Sequence, residues 1–173
     1  MKMLDVLVQL LLPKAQCLVC GQPRQMDVDE QLCDDCIMAL QYERLMSGVC
    51  LHCLSPRRSD HPCEYCANGG MQHLRAAYAP FHYHGVVQQL VVKLKFGAVD
   101  DAAHPLANAM LDSIFGIPFD AMVPVPLHAR RLSERGINQA SLLCDILSTY
   151  TSIPVLHALF RTETRKDNPP CSA

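Results

Sequence analysis

Apolar residues recur at helical spacing in several parts of the chain. Near the start, Leu4, Val8, Leu11 and Leu12 form a stripe that stops at Pro13, which predicts a short amphipathic helix. A second short helix is predicted over residues 34–44, which begins inside a cysteine pair. Three further helices are predicted in the second half of the chain, after Gly85, over residues 106–114 and around residues 140–147.

Short apolar runs between these stripes predict strands. Residues 77–83 carry three aromatic side chains, residues 121–125 are an apolar run bounded by Asp120 and Pro126, and residues 153–156 form a third run. Strands that alternate with helices indicate a parallel α/β sheet. Because a βαβ unit takes about 30 residues, the chain after residue 74 has room for three strands at most. The expected sheet is therefore small and incomplete.

The N-terminal stripe does not resemble a secretion signal or a membrane anchor. Asp5 and Gln9 interrupt its apolar run, and no small-residue cleavage site precedes Pro13 and Lys14. No stretch of the chain approaches the roughly 18 consecutive apolar residues that span a bilayer. We expect a soluble protein in the cytoplasm, a compartment that also keeps thiols reduced.

Cysteine is the most unusual component of the sequence. Eight of the ten cysteines fall within residues 17–66 as four C-x2-C pairs. One such knuckle supplies two thiolates from a single tight turn, so two knuckles complete a tetrahedral zinc site. The spacing predicts two structural zinc ions, held by Cys17, Cys20, Cys33 and Cys36 and by Cys50, Cys53, Cys63 and Cys66.

Other interpretations of these cysteines remain open from the sequence. The pairs can be crossed between knuckles, an iron–sulfur cluster can replace zinc, or some pairs can be reduced core cysteines without metal. His52 or His61 can also replace a thiolate. A closed site with four thiolates has no open coordination position, so its expected role is structural rather than catalytic.

Charge divides the chain near residue 74. Six basic and nine acidic residues precede that point, whereas nine basic and eight acidic residues follow it. The net charge of −2 gives no argument for nucleic-acid binding by the protein as a whole, so any basic site must be local. We predict a module of N-terminal helix and double zinc ribbon over residues 1–74 and an α/β domain over residues 75–173.

Two later segments complete a pattern that resembles the ComF family, also called competence protein F. These are KLKFG at residues 93–97 and VPVPLHARRLSERGINQA at residues 123–140, which follow the four cysteine pairs in that order. The resemblance extends to about Phe160. It implies a double zinc ribbon followed by a type I phosphoribosyltransferase-like parallel sheet, in proteins linked to DNA uptake during natural transformation.

The resemblance also implies a phosphate or nucleic-acid site after the second predicted strand, residues 121–125. Arginine suits such a site because its planar guanidinium donates two parallel hydrogen bonds to phosphate. Asn138 is expected to cap the helix that follows. The interpretation without a ligand is that the arginines and Glu134 form a solvated face. The implied binding residues are Lys95, Arg130, Arg131, Arg135, Gly136, Asn138 and Gln139.

The tail departs from the family pattern. The resemblance implies that complete relatives have a later acidic pair and a T-T-G turn that holds a sugar phosphate. It also implies that they use Mg2+ and phosphoribosyl pyrophosphate. The segment RTETRKDNPPCSA has neither the acidic pair nor the turn. We therefore expect an impaired, C-terminally truncated competence protein that binds single-stranded DNA or a phosphoribosyl ligand and cooperates with a competence helicase or another DNA-processing protein. The alternatives are a phosphoribosyltransferase acting on an unknown base and a zinc-ribbon adaptor that binds a helicase or other protein.

Overall fold

The computed structural model describes residues 15–23, 31–45, 47–56, 63–97 and 99–162. The helices predicted from the stripes in these ranges are confirmed, whereas the N-terminal stripe and His61 lie outside them. Two short helices, Glu64–Ala67 and Ala129–Arg135, were not predicted. The helices are α1 (Asp34–Tyr42), α2 (Glu64–Ala67), α3 (Gly85–Phe96), α4 (Ala103–Ile114), α5 (Ala129–Arg135) and α6 (Gln139–Thr151), with a 3-10 turn at Asp100–Ala102.

Helix α3 lies at the centre of the core. Its Leu90 is completely buried, and Leu94 is nearly so. Helix α1 packs against α3, while α4 packs against both α3 and α6. Ala103 and Ala107 of α4 are fully buried, and small side chains at such positions let helices approach closely. The sequence therefore builds its core from the apolar stripes of four helices.

The core continues across the predicted boundary at residue 74. Cys17, Leu32, Cys36 and Leu40 lie in the same buried cluster as residues of α3, α4 and α6. The first cysteine group is thus part of the main core rather than a separate bead. The division into two domains stays a prediction.

The predicted parallel sheet is not formed by the described residues, which contain isolated bridges and no strand. Met122 pairs with Val155 in a parallel bridge. In it, the Met122 N–H donates to Pro154 O and the Leu156 N–H donates to Met122 O, each over 2.8 Å. Phe81, in the first predicted strand, forms only an antiparallel bridge with Arg44. The apolar runs therefore mark extended backbone without a ladder.

The physical reason lies in the surroundings of this one parallel bridge. Strands of a parallel sheet are normally covered on both faces and paired along most of their length. Here Val125 is 68% exposed and Leu156 is 50% exposed, so this side of the bridge lacks a covering layer. No helix among the described residues is long and apolar enough to cross a membrane.

Candidate metal centres and anion-binding site

The first cysteine group, named site 1, contains Cys17, Cys20, Cys33 and Cys36. The turn of Cys17 is closed by two hydrogen bonds, from the Gly21 N–H to Cys17 O over 3.0 Å and from the Cys17 N–H to Gln22 O over 2.9 Å. Cys33 is the N-cap of α1, which places Cys36 on the first turn of that helix. The four sulfur atoms lie within 4.8 Å of one another, and Cys20 and Cys33 are 3.5 Å apart.

The second group, named site 2, repeats this construction with Cys50, Cys53, Cys63 and Cys66. The Leu54 N–H donates to Cys50 O over 2.8 Å, and the Cys50 N–H donates to Ser55 O over 2.9 Å. Cys63 is the N-cap of α2. Backbone φ is positive after both knuckles, 72° at Gly21 and 61° at Leu54. The two sites are therefore an internal structural repeat.

The sulfur geometry fits a tetrahedral metal ion. A Zn–S bond of about 2.3 Å gives sulfur atoms about 3.8 Å apart. The structure has Cys53 and Cys63 separated by 3.6 Å and Cys50 and Cys66 by 3.9 Å. Each knuckle thus pairs with the next one along the chain, and neither group includes His52. Both groups can hold a metal ion, and four thiolates favour zinc.

Within each cysteine group, the pKa of one thiol is lowered and that of another is raised, and a bound dication would favour the thiolate form of all four. At Cys17 desolvation raises the pKa, but backbone hydrogen bonds from Cys20, Cys33 and Val19 outweigh it and lower the pKa to about 6. A hydrogen bond to Ser55 lowers the pKa of Cys53 to about 6. Desolvation and the neighbouring thiols raise the pKa of Cys66 to about 12, and the same causes raise the pKa of Cys36. Negative charge is therefore already stabilised in each group, although four adjacent thiolates need a cation.

Glu43 is a buried carboxylate that sequence reasoning missed. It follows α1 and is only 7% exposed. Its Oε1 accepts from the Val86 N–H over 2.8 Å, and its Oε2 accepts from the Val87 N–H over 2.9 Å. A Cβ atom at residue 85 would overlap Oε1, so any residue other than glycine there would displace the carboxylate. Glu43 thereby caps α3 from outside that helix and joins site 1 to the centre of the core.

The arginine-rich segment forms helix α5 and the turn after it, where the sequence suggested a loop. We call residues 130–139 the arginine turn. Asn138 caps α6 as predicted, since its Oδ1 accepts from the Ala140 N–H over 3.1 Å. Its Nδ2 also donates to Val125 O over 3.1 Å, which fixes the turn against the extended segment of residues 121–125. Gly136 has a φ of 79°, a left-handed conformation that favours glycine.

The side chains of the arginine turn have different roles. Arg130 is exposed and pairs with Glu134 over 3.0 Å, which offsets part of its charge. Arg131 is exposed on the same helix. Arg135 donates to Gln139 Oε1 over 3.2 Å, and Gln139 itself is 8% exposed. Gln139 therefore positions Arg135 from beneath instead of facing solvent.

The turn lies beside the end of α3. The guanidinium carbon of Arg135 is 5.1 Å from the centroid of the Phe96 ring. Phe96 follows Lys95, an exposed residue in the last turn of α3. The KLKFG and RGINQ segments, far apart in sequence, therefore meet in the structure. Phe96 was not among the predicted site residues, although its place in KLKFG was the available signal.

A separate cleft of about 350 Å3 lies between α1 and α4. Leu40 and Phe81 contribute to its apolar wall, and the exposed Arg44–Asp112 pair, 2.8 Å apart, lies at its lining. None of the residues of the arginine turn lines this cleft. It is therefore distinct from the candidate anion site.

Two metal-competent four-cysteine sites fit a protein of the zinc-ribbon class. Among curated proteins, the chain is similar to competence protein ComFC of Bacillus subtilis (strain 168), with 24% identity over 173 residues that cover 90% of this chain and 70% of the relative. This similarity supports a distant relationship to the ComF family. No family model matches it. No solved structure matches it either.

Proposed function

We propose that this chain is a competence-related protein that binds single-stranded DNA at the arginine turn, with two structural zinc ions in sites 1 and 2. The relationship to a protein named for competence supports the biological role. The observation that carries the binding proposal is Arg135, which Gln139 holds against Phe96 at the meeting point of two motifs. An oriented guanidinium beside an exposed ring suits a backbone phosphate next to an unpaired base.

The local charge supports an anionic ligand. Lys93 and Lys95 occupy the last turn of α3, and Arg135, whose guanidinium contacts Phe96, ends the helix that also carries Arg130 and Arg131. This basic group is local, as a chain with a net charge of −2 requires. Single-stranded nucleic acid is favoured over duplex because its bases can stack on an aromatic ring without the cost of unstacking a base pair.

The test is binding of a labelled oligothymidylate by the zinc-loaded chain at several salt concentrations, followed by fluorescence anisotropy. We expect R135A to weaken binding and to reduce the slope of log affinity against log salt by about 0.7, the value for one lost phosphate contact on a single strand. R135K should keep most of the slope and lose affinity, because lysine lacks the planar fork.

R44A is the matched control, since Arg44 is also a partly exposed arginine held by a side-chain contact but belongs to the α1–α4 cleft. Its affinity and salt slope should equal those of the unchanged chain. Absence of binding at low salt, or identical slopes for R135A and the unchanged chain, would contradict the proposal.

The remaining expectations from the sequence stay predictions. They are transferase activity, the use of Mg2+ and phosphoribosyl pyrophosphate, a helicase or other protein partner, and a cytoplasmic location. Residues 163–173, on which the expectation of a truncated domain depends, lie outside the described residues.

A further inference from the structure

Phe96 presents a large apolar side chain to solvent at the end of the central helix. Its residue is 74% exposed, whereas Leu94, two positions earlier, is 4% exposed. Its chain neighbours Lys95 and Gly97 are also exposed, so the ring does not continue a run of apolar side chains. Exposure of an aromatic ring is unfavourable in water, and the helix geometry alone does not require phenylalanine at this position.

The ring has a defined neighbour on one side. The Arg135 guanidinium carbon lies 5.1 Å from the ring centroid, a cation–π distance. Gln139 accepts from Arg135 over 3.2 Å, and its own burial holds that acceptor in place. The high exposure of the residue shows that the guanidinium does not cover the ring. Phe96 is therefore held from one side and open to solvent elsewhere.

Basic side chains on the two helices that meet at the ring suit an anionic ligand with flat groups. Lys95 is adjacent along α3, and Arg130 and Arg131 belong to the helix that ends at Arg135. Glu134 is the acidic residue of that helix, and it pairs with Arg130. A nucleic-acid strand combines phosphates, which these cations attract, with bases, which stack on aromatic rings.

We propose that Phe96 is a stacking surface for one unpaired nucleobase, with Arg135 directed at the adjacent phosphate. This inference rests on the proposed binding of single-stranded DNA and assigns a base contact within it. It assigns two kinds of contact to the site: the lysines and arginines contact the phosphates of the DNA backbone, and Phe96 alone stacks on a base. Such stacking is tolerant of base identity, so binding should show little sequence preference.

The test uses the absence of tryptophan from this chain. F96W places a single tryptophan, whose fluorescence can be excited separately from that of the tyrosines, at the stacking surface and retains an aromatic ring. Titration of zinc-loaded F96W with oligothymidylate should quench its fluorescence, and an abasic oligomer with the same number of phosphates should quench it far less. F96L should weaken oligothymidylate binding by about fivefold or more, the lower end of base–aromatic stacking, and should not change the affinity for the abasic oligomer.

F115W and F115L are the matched controls, because Phe115 is 90% exposed at the end of α4. The tryptophan fluorescence of F115W should not be quenched by either oligomer, and F115L should keep the affinity of the unchanged chain for oligothymidylate. If the unchanged chain binds oligothymidylate but F96L binds equally well, or F96W is quenched equally by both oligomers, the stacking inference is wrong and the proposed function stands. If the unchanged chain binds neither oligomer, both are wrong.

Discussion

Glu43 provides the sharpest test of how the two parts of the chain are joined. Its carboxylate accepts two backbone hydrogen bonds, over 2.8 and 2.9 Å, from residues that are themselves buried. Hydrogen bonds to a charged group contribute about 1.5–3 kcal/mol each, so E43A should lower the free energy of unfolding by about 3–6 kcal/mol. Glutamine keeps one acceptor, and E43Q should cost about half as much.

The assay combines denaturant unfolding of the zinc-loaded chain with amide hydrogen exchange. A local loss of about 2 kcal/mol at α3 in E43Q corresponds to roughly 30-fold faster exchange of the Val86 and Val87 amides. G85A tests the same contact from the other side, because its Cβ would displace the carboxylate. It should accelerate exchange at the same two amides.

D112N is the control, because it removes a carboxylate from the neighbouring Arg44 ion pair. The Asp112 side chain is 62% exposed, so its loss should cost less than about 1 kcal/mol. If E43Q were as mild as D112N, or if its two amides exchanged no faster, the carboxylate would not be the structural link inferred from its geometry.

Two further predictions concern the metal sites. C36S and C66S should each reduce bound zinc from two ions to one per chain, measured by elemental analysis. The loss of thermal stability should be greater in C36S, because Cys36 belongs to the main core and Cys66 does not. C144S is the control: it lies outside both sites and should keep two ions. Zinc affinity, measured by chelator competition, should rise at least tenfold per pH unit near neutrality. The pKa values of Cys36 and Cys66 are raised, so the metal must displace a proton at each site. A zinc affinity that does not change with pH would contradict this prediction.

The features predicted correctly are those that depend on local spacing. A C-x2-C knuckle forms within one turn, so the sequence contains the information for both cysteine groups, and the structure brings together the predicted pairs of knuckles and not the crossed ones. The stripes of α3, α4 and α6 are likewise local. By contrast, the acceptor for the first amides of α3 lies 43 residues earlier in the chain, and no local pattern marks Glu43 as that acceptor.

The sheet was overpredicted for a related reason. An apolar run such as residues 121–125 favours extended backbone, but a strand also needs a partner along its length and cover on its faces. Only Met122 obtains a parallel partner in the described residues. Phe96 was missed because its significance depends on Arg135, a residue brought to it by packing of the helices and not by sequence proximity.

The order of contacts along α3 connects the metal sites to the candidate ligand site. Site 1 fixes the start of α1 through Cys33 and Cys36, and Glu43 at the far end of α1 caps the first turn of α3. The 12 residues of α3 then extend for about 18 Å before they reach Phe96. A closed metal site can therefore influence ligand binding without contacting the ligand, because it holds the helix that carries the stacking surface. Site 2 lies outside the buried cluster and has no equivalent capping contact to α3 among the described residues, so the two sites, although built alike, should differ in their effect on the arginine turn.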